Sequence, residues 1–484
     1  MSMSMTTSTA APGAFALSAA DAERLRARLE EAVRRARRSR SRQVLATLTV
    51  DAPAATDPTA VAVASRVGGE SWFVFEQPAR EGSALAALGS VTQLDATGRG
   101  RFDDVARRWR ELATEALSDD RHGPRGSGPV AVGGFAFSPD PASAPHWAAF
   151  PPASLVVPQV ALARRADRVT VTFAALCRPD DDPAALLHEL SARAQALRQA
   201  PLPLLDPDPV ARMRVASAMP PEHYEGAVAR GVERIRAGAF DKIVLAREVQ
   251  VHAPRPHDAA AVLSVLRDAF RECNVFAVGR GEDTFIAASP ELLVRREGLR
   301  AEALALAGST RRSADPSVDA HLGEQLLRSS KDREEQAIVV RRIVSSLRGL
   351  SVWVTAPEDP VLARMANIQH LATPIRAQLR DPVSVVRLAG MLHPTPAVGG
   401  EPHDAAVPLI PALEGLERGW YAGPVGWVDG NEDGEFCVAL RCALLSGNVA
   451  RCYAGVGVVR DSDPAAELAE TEVKLAALLP VLAS

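Results

Sequence analysis

Lys242 lies within Phe240-Asp241-Lys242-Ile243-Val244-Leu245-Ala246-Arg247-Glu248-Val249, a run of β-branched and apolar residues that reads as a buried strand. A cation there keeps its charge by pairing or loses it by desolvation. A lysine that yields its proton near neutral pH can serve as a general base. At a strand edge it would instead carry its ammonium to water along its own stem. A second set lies near the C-terminus. Glu467, Glu470 and Lys474 recur at i, i+3 and i+7, on one face of a helix that Asp463 can cap and Pro464 can begin. Two carboxylates on one face can hold a hard cation such as Mg²⁺, which takes few carboxylates and completes its shell with other oxygens. The same spacing also describes an exposed, salt-bridged stripe.

Three further segments carry candidate groups. Lys331-Asp332-Arg333-Glu334-Glu335 sits in a helical stretch whose period suggests a partly buried acid, with Glu334 and Glu335 both on the border of the apolar side. Arg441 falls in the apolar run Phe436 to Leu445, read as one strand, and a buried guanidinium needs an anion, which it can grip in bidentate fashion. Leu306 to Arg312 and Tyr453 to Gly457 read as glycine-containing turns whose backbone N–H groups could meet a carboxylate.

The elements that must position these groups form two parts. Residues 44–177 alternate short apolar segments with turns, strands being expected at 44–50, 71–75, 131–137 and 169–173 and helices near 102–117 and 183–199. A helix is expected from Ser18 to about Arg42, with its arginines on a solvated face, after a disordered tail over 1–17. Pro201 to Pro209, with four prolines in nine residues, reads as a linker. It separates an amino-terminal subdomain, 18–205, from a second part, 210–484. There a helix at 221–237, the Lys242 strand, a helix near 257–272, and strands at 274–280, 284–288 and 291–296 are expected. A single long helix at 319–348, a hairpin from Trp420 to Leu445, a strand at 449–459 and a closing helix at 464–482 follow. Strands in hairpin runs with segregated helices favour an α+β fold on antiparallel sheets.

The bulk numbers narrow the function classes. The 484 residues, 47% hydrophobic and 24% charged, have the composition of an ordinary globular protein, and a formal net charge of −4 gives no reason to expect nucleic acid. Five cysteines form no CxxC pair and read as reduced, buried thiols of a cytoplasmic protein. No apolar run approaches membrane-spanning length.

Ten strings, in order, resemble those of the chorismate-utilising enzymes, and within them the isochorismate synthases. They are FDKIVLARE (240–248), SPELLV (289–294), LAGSTRR (306–312), KDREE (331–335), IQHLATP (368–374), LHPTPAVGG (392–400), GWYAGPVGW (419–427), EFCVALRCA (435–443), YAGVGVV (453–459) and AETEVK (469–474). GGFAFSP at 133–139 and LVVPQV at 155–160 extend the likeness, with weaker motifs, into the first 200 residues. The resemblance implies an α+β (α/β) fold of the anthranilate synthase component I type: two large antiparallel β-sheets flanked by helices, the two parts making one catalytic unit.

The resemblance also implies roles. Lys242 matches a general base that activates water for attack at C2 of chorismate, and Glu291 a general acid that protonates the departing C4 hydroxyl. Glu335 and Glu470 match Mg²⁺ ligands, with Glu467 a nearby carboxylate acting through water. Arg441 and the Gly455 backbone match contacts to the enolpyruvyl carboxylate; Gly308, Ser309 and Lys474 match contacts around the ring carboxylate. His370 and Ala372, in the IQHLATP string, are expected beside the substrate, His370 and His393 chiefly in structural roles. At the outset Lys242 must be neutral and Glu291 protonated, and burial raises the pKa of a carboxylic acid in the required sense. Aminating relatives usually carry glutamine where Lys242 stands and, in aminodeoxychorismate synthases, lysine where Ala307 stands. Both positions point to water as the nucleophile, with no glutamine amidotransferase subunit and a monomer as the default. Salicylate synthases, which share the lysine and go on to eliminate pyruvate, are the alternative, followed by a non-catalytic chorismate-binding homologue.

Overall fold

The computed structural model describes residues 13–38, 42–119, 123–205 and 213–483. Among them the strands form two antiparallel sheets, one of twelve strands and one of ten. Each sheet draws on both sides of residue 205. In the larger sheet Trp72–Gln77 pairs with Asn274–Arg280, and in the smaller one Val130–Phe135 pairs with Pro424–Asp429. One apolar cluster, including Phe73, Phe75, Trp427 and Phe436, draws its residues from both sheets. A second joins the larger sheet to helices Ala19–Ala36 and Ala259–Ala269. The second half of the expected linker, 206–209, and most of the expected tail lie outside the described residues.

Local chemistry sets the element ends. Ser18 accepts from Asp21 N and caps the first helix, which stops at Ala36, short of Arg42. Asp463 caps Pro464–Leu475, and a separate short turn, Leu479–Leu482, follows where one closing helix was expected. The long helix expected at 319–348 is two helices, Pro316–Arg328 and Ser330–Arg348. Ser329 breaks it: its backbone is extended and its hydroxyl accepts from Asp332 N, so the side chain starts a new helix where the apolar period alone would continue the old one.

The expected Phe436 to Leu445 strand is also divided. Gly434–Val438 belongs to the ten-stranded sheet and Cys442–Ser446 to the twelve-stranded one. Arg441 occupies the crossing, in the left-handed region at φ 49°. A second crossing runs beside it, from Asp283–Ser289 in the larger sheet to Leu292–Glu297 in the smaller. The two are stitched together: Val438 N donates to Glu291 O at 3.0 Å and Ala288 N to Arg441 O at 3.1 Å. Glu291 and Arg441 therefore meet at the seam between the sheets.

Neither glycine segment is a turn. Leu306 to Arg311 lies inside the strand Arg300–Arg311, which pairs with Ile368–Leu379 and carries a bulge where Gly308 takes φ 69°. Tyr453 to Gly457 lies inside Val449–Val458, the neighbour of Lys242–His252. In that strand the glycines make room for side chains arriving from elsewhere.

Candidate active site

A cavity of about 680 Å³ opens at the seam, lined by Glu291, Gly308, Ser309, Glu335, His370, Arg441, Gly455, Glu470 and Lys474 among others. It thus gathers groups from both sheets, from helix Ser330–Arg348 and from helix Pro464–Leu475.

Lys242 is wholly buried, and its Nζ stands 2.8 Å from Glu335 Oε1. Among the described residues no hydrogen bond satisfies the ammonium, and the ion pair is its one strong interaction. Lys242 reaches this place past Gly457, where an added Cβ would lie 2.9 Å from Lys242 Cε and would overlap the Glu335 carboxylate. Gly457→Ala is therefore expected to displace both side chains and lower kcat/KM by about 10-fold or more, since a 1 Å misplacement can cost about 100-fold. Steady-state kinetics beside a thermal melt checks this; a variant with native kinetics would mean that neither side chain needs its observed place.

Glu291 is 3% exposed, and its carboxyl is pushed up to about 8 by burial, with Lys242 and Lys474 pulling partly the other way. It is a carboxylic acid kept protonated at neutral pH on the cavity wall. Arg441 is buried, and burial lowers its pKa. Its Nη2 lies 2.7 Å from His370 Nε2. Burial, followed by the Arg441 and Lys474 cations, drives His370 well below the ordinary range, so the ring is neutral: Nε2 accepts from Arg441 and Nδ1–H donates to Gly308 O at 3.3 Å. A guanidinium held by a neutral ring keeps its charge available for an incoming anion.

The carboxylates do not share one point. Glu470 accepts from Ser309 Oγ at 2.8 Å and pairs with Lys474 at 2.9 Å; burial pushes it up, but Lys474 and Ser309 outweigh that and hold it below the usual range. Lys474 also donates to Gly455 O at 2.9 Å. Glu467 lies one turn back, off the cavity lining, raised by burial and paired with Lys331 at 3.2 Å. Among the described residues no three histidine, cysteine or carboxylate side chains converge as a ready metal cage. Besides Glu291, the acids Glu335 and Glu470 face the cavity, and Glu334 is exposed.

Ala372 is the site candidate farthest from expectation. It pairs with Leu306 in the sheet, packs in the second apolar cluster and does not line the cavity. His393 is half-buried against Phe102 and Phe137, its pKa driven down to about 3 chiefly by desolvation, and it bonds Phe137 O away from the cavity. Sequence reasoning missed Tyr421 and Tyr453, which line the cavity and stack at 5.2 Å. Tyr421 lies in the GWYAGPVGW string, so the signal was present; its hydroxyl occupies the space a side chain at Gly455 would need.

The profile of the chorismate binding enzymes matches residues 29–483. The chain belongs to that family. A salicylate-biosynthesis isochorismate synthase of Pseudomonas aeruginosa is 39% identical over 402 residues, 83% of this chain and 83% of that protein. Among solved structures, the menaquinone-specific isochorismate synthase of Escherichia coli superposes with TM-score 0.76 at 27% identity, covering 95% of this enzyme and 99% of that chain. Anthranilate synthase component I of Streptococcus pneumoniae, at 19% identity and TM-score 0.67 over 83% of this enzyme and 92% of that chain, shares the fold. The expected two-sheet α+β architecture is the one found. Among the described residues no helix is long and apolar enough to cross a membrane, and all five cysteines are free and buried.

Proposed function

We propose that this chorismate-binding enzyme is an isochorismate synthase, an isomerase that adds water at C2 of chorismate and expels the C4 hydroxyl. The observation that carries the reading is the pairing of chemistries at one cavity: Lys242, buried behind the wall beside Glu335, and Glu291, on the wall and held protonated up to about 8. In this reading neutral Lys242 takes a proton as water oxygen bonds to C2. The ring double bond shifts, the C4–O bond breaks, and Glu291 gives its proton to the leaving hydroxyl, which departs as water. Proton return from Lys242 to Glu291 through solvent closes the cycle. Arg441, oriented by His370, and the Gly455 backbone take the enolpyruvyl carboxylate. Ser309, Gly308 and Lys474 stand around the ring carboxylate.

Glu335 and Glu470 are the residues that would hold Mg²⁺, with Glu467 behind them through water. This donor set fits an ion that commonly takes one or two carboxylates and leaves further positions for substrate and water. When bound, the ion supplies positive charge against the substrate carboxylate. We further place the enzyme in the cytoplasm, as a monomer that works without an amidotransferase subunit; its free buried thiols fit a reducing compartment.

Purified protein incubated with chorismate and Mg²⁺, with the products resolved, tests the reading. Isochorismate without pyruvate is the expected result. Stoichiometric pyruvate and salicylate would transfer the enzyme to the salicylate synthases, and no turnover would make it a binding homologue.

A further inference from the structure

On Lys242–His252 the backbone groups of alternate residues point toward the outer edge of the strand. Gly400–Glu401 pairs there with Lys242 and Ile243, and Arg214–Ser217 with Val249 to His252. Among the described residues no strand pairs along this outer edge with the stretch between them. Val244 N reaches Gly399 O and Glu248 O accepts from Ala218 N; between these two bonds lie the Val244 carbonyl and the Ala246 amide. Two side chains take them: Arg418 Nη2 donates to Val244 O at 3.0 Å, and Glu414 Oε1 accepts from Ala246 N at 2.7 Å. An ion pair thus stands in for a missing strand.

The pair reaches further. Arg418 Nη1 donates to Val398 O at 2.7 Å, and Ala397 and Val398 are part of the cavity wall. The guanidinium lies 4.2 Å over the ring of Phe137 and 5.6 Å from that of Tyr421, another wall residue. Its side chain is 3% exposed and that of Glu414 is 0% exposed. Buried ion pairs are weak stabilisers, and apolar replacements of equal volume are often neutral or better. What an apolar pair cannot do is bind three backbone groups at once.

We infer that Glu414 and Arg418 are a positioning pair for the proposed isomerisation, fixing the strand that carries Lys242 against the Ala397–Val398 wall. The inference rests on the reading of Lys242 as the base, but its structural half can be measured without turnover. Arg418→Lys keeps a cation beside Glu414, yet a single ammonium cannot span Glu414, Val244 O and Val398 O. The expected result is a folded protein whose kcat falls about 10- to 100-fold, as a displacement near 1 Å produces, with KM for chorismate within about threefold. Amide hydrogen exchange over 244–246 should quicken in parallel.

The double variant Glu414→Gln/Arg418→Met, neutral and of similar volume, should keep its melting temperature and show the same slow kcat and faster exchange. Native kcat and native exchange in either folded variant would overturn the inference. So would failure of both to fold, which would make the pair a folding determinant. If the wild-type protein makes no isochorismate, the proposed function fails while the exchange measurement still decides whether the pair fixes this strand.

Discussion

Replacing Lys242 by glutamine is expected to abolish water addition while leaving the fold in place. Glutamine is shorter than lysine by about one bond, and its amide can still donate to Glu335, the ion-pair partner of the native ammonium. The variant therefore loses charge but not shape. Leaving a buried polar group without its partner costs about 1–3 kcal/mol, and this position sits at the lower end because Glu335 also faces the cavity. What the amide cannot do is accept a proton. The rate should fall by about 10²- to 10⁴-fold, the usual contribution of a positioned base, with KM for chorismate little changed, since Lys242 does not line the cavity. Product analysis with a parallel melting curve measures both halves of the claim. Full isochorismate production by a folded Lys242→Gln protein would refute the assigned base.

The reach of the sequence can be judged at particular residues. Lys242 was legible because a β-branched run marks a strand whatever lies around it, and the face shared by Glu467, Glu470 and Lys474 follows from helical period alone. Period could not choose between Glu334 and Glu335, because one turn of helix brings both to the border of the apolar side; packing against the Lys242 strand makes the choice. Arg441 was found but misplaced. An unbroken apolar run hides a change of sheet, since both strands are buried on both faces and nothing in their composition marks the crossing. The same holds for Gly308, Gly455 and Gly457. Glycine signals freedom of backbone or space; the neighbours Tyr421 and Glu335 decide for space inside the strand at Gly455 and Gly457, while Gly308, at φ 69° beside Asp332, needs both. The strands Arg300–Arg311 and Ile368–Leu379, neither expected from pattern, carry Ser309 and His370; the first is alanine-rich and the second contains Pro374, weak strand signals that long-range pairing overrides.

The seam explains why acid and anion site come together. A chain that crosses between two sheets leaves its ladder for a few residues, and those residues can present side chains into the gap that neither sheet fills. Two such crossings side by side supply Glu291 and Arg441. Glu291 is desolvated by both sheets, while Arg441, in a left-handed conformation, is turned toward His370 and the cavity. Burial does opposite chemical work on the two: it keeps a proton on the carboxyl and leaves the guanidinium short of an anion.

That burial makes Glu291 visible in a pH profile. Its carboxyl is raised from 4.5 to about 8, and the proposed acid is the protonated form. Activity is therefore present below about pH 8 and lost above it, and kcat/KM, which reports the free enzyme, should fall about tenfold per pH unit beyond that point. Stability carries the same sign. Between pH 4.5 and about 8 the folded state holds a proton that the unfolded state has released, so this group's contribution is fully present below 4.5 and is lost as pH rises through the window. Glu291→Gln removes the proton donor without removing the shape. It should lower kcat by about 10²- to 10⁴-fold, erase the limb near pH 8 from whatever activity remains, and flatten the fall of melting temperature across the same window. A Glu291→Gln enzyme that keeps the alkaline limb would assign that limb to another group, and one that keeps its rate would leave the C4 hydroxyl to depart without this acid.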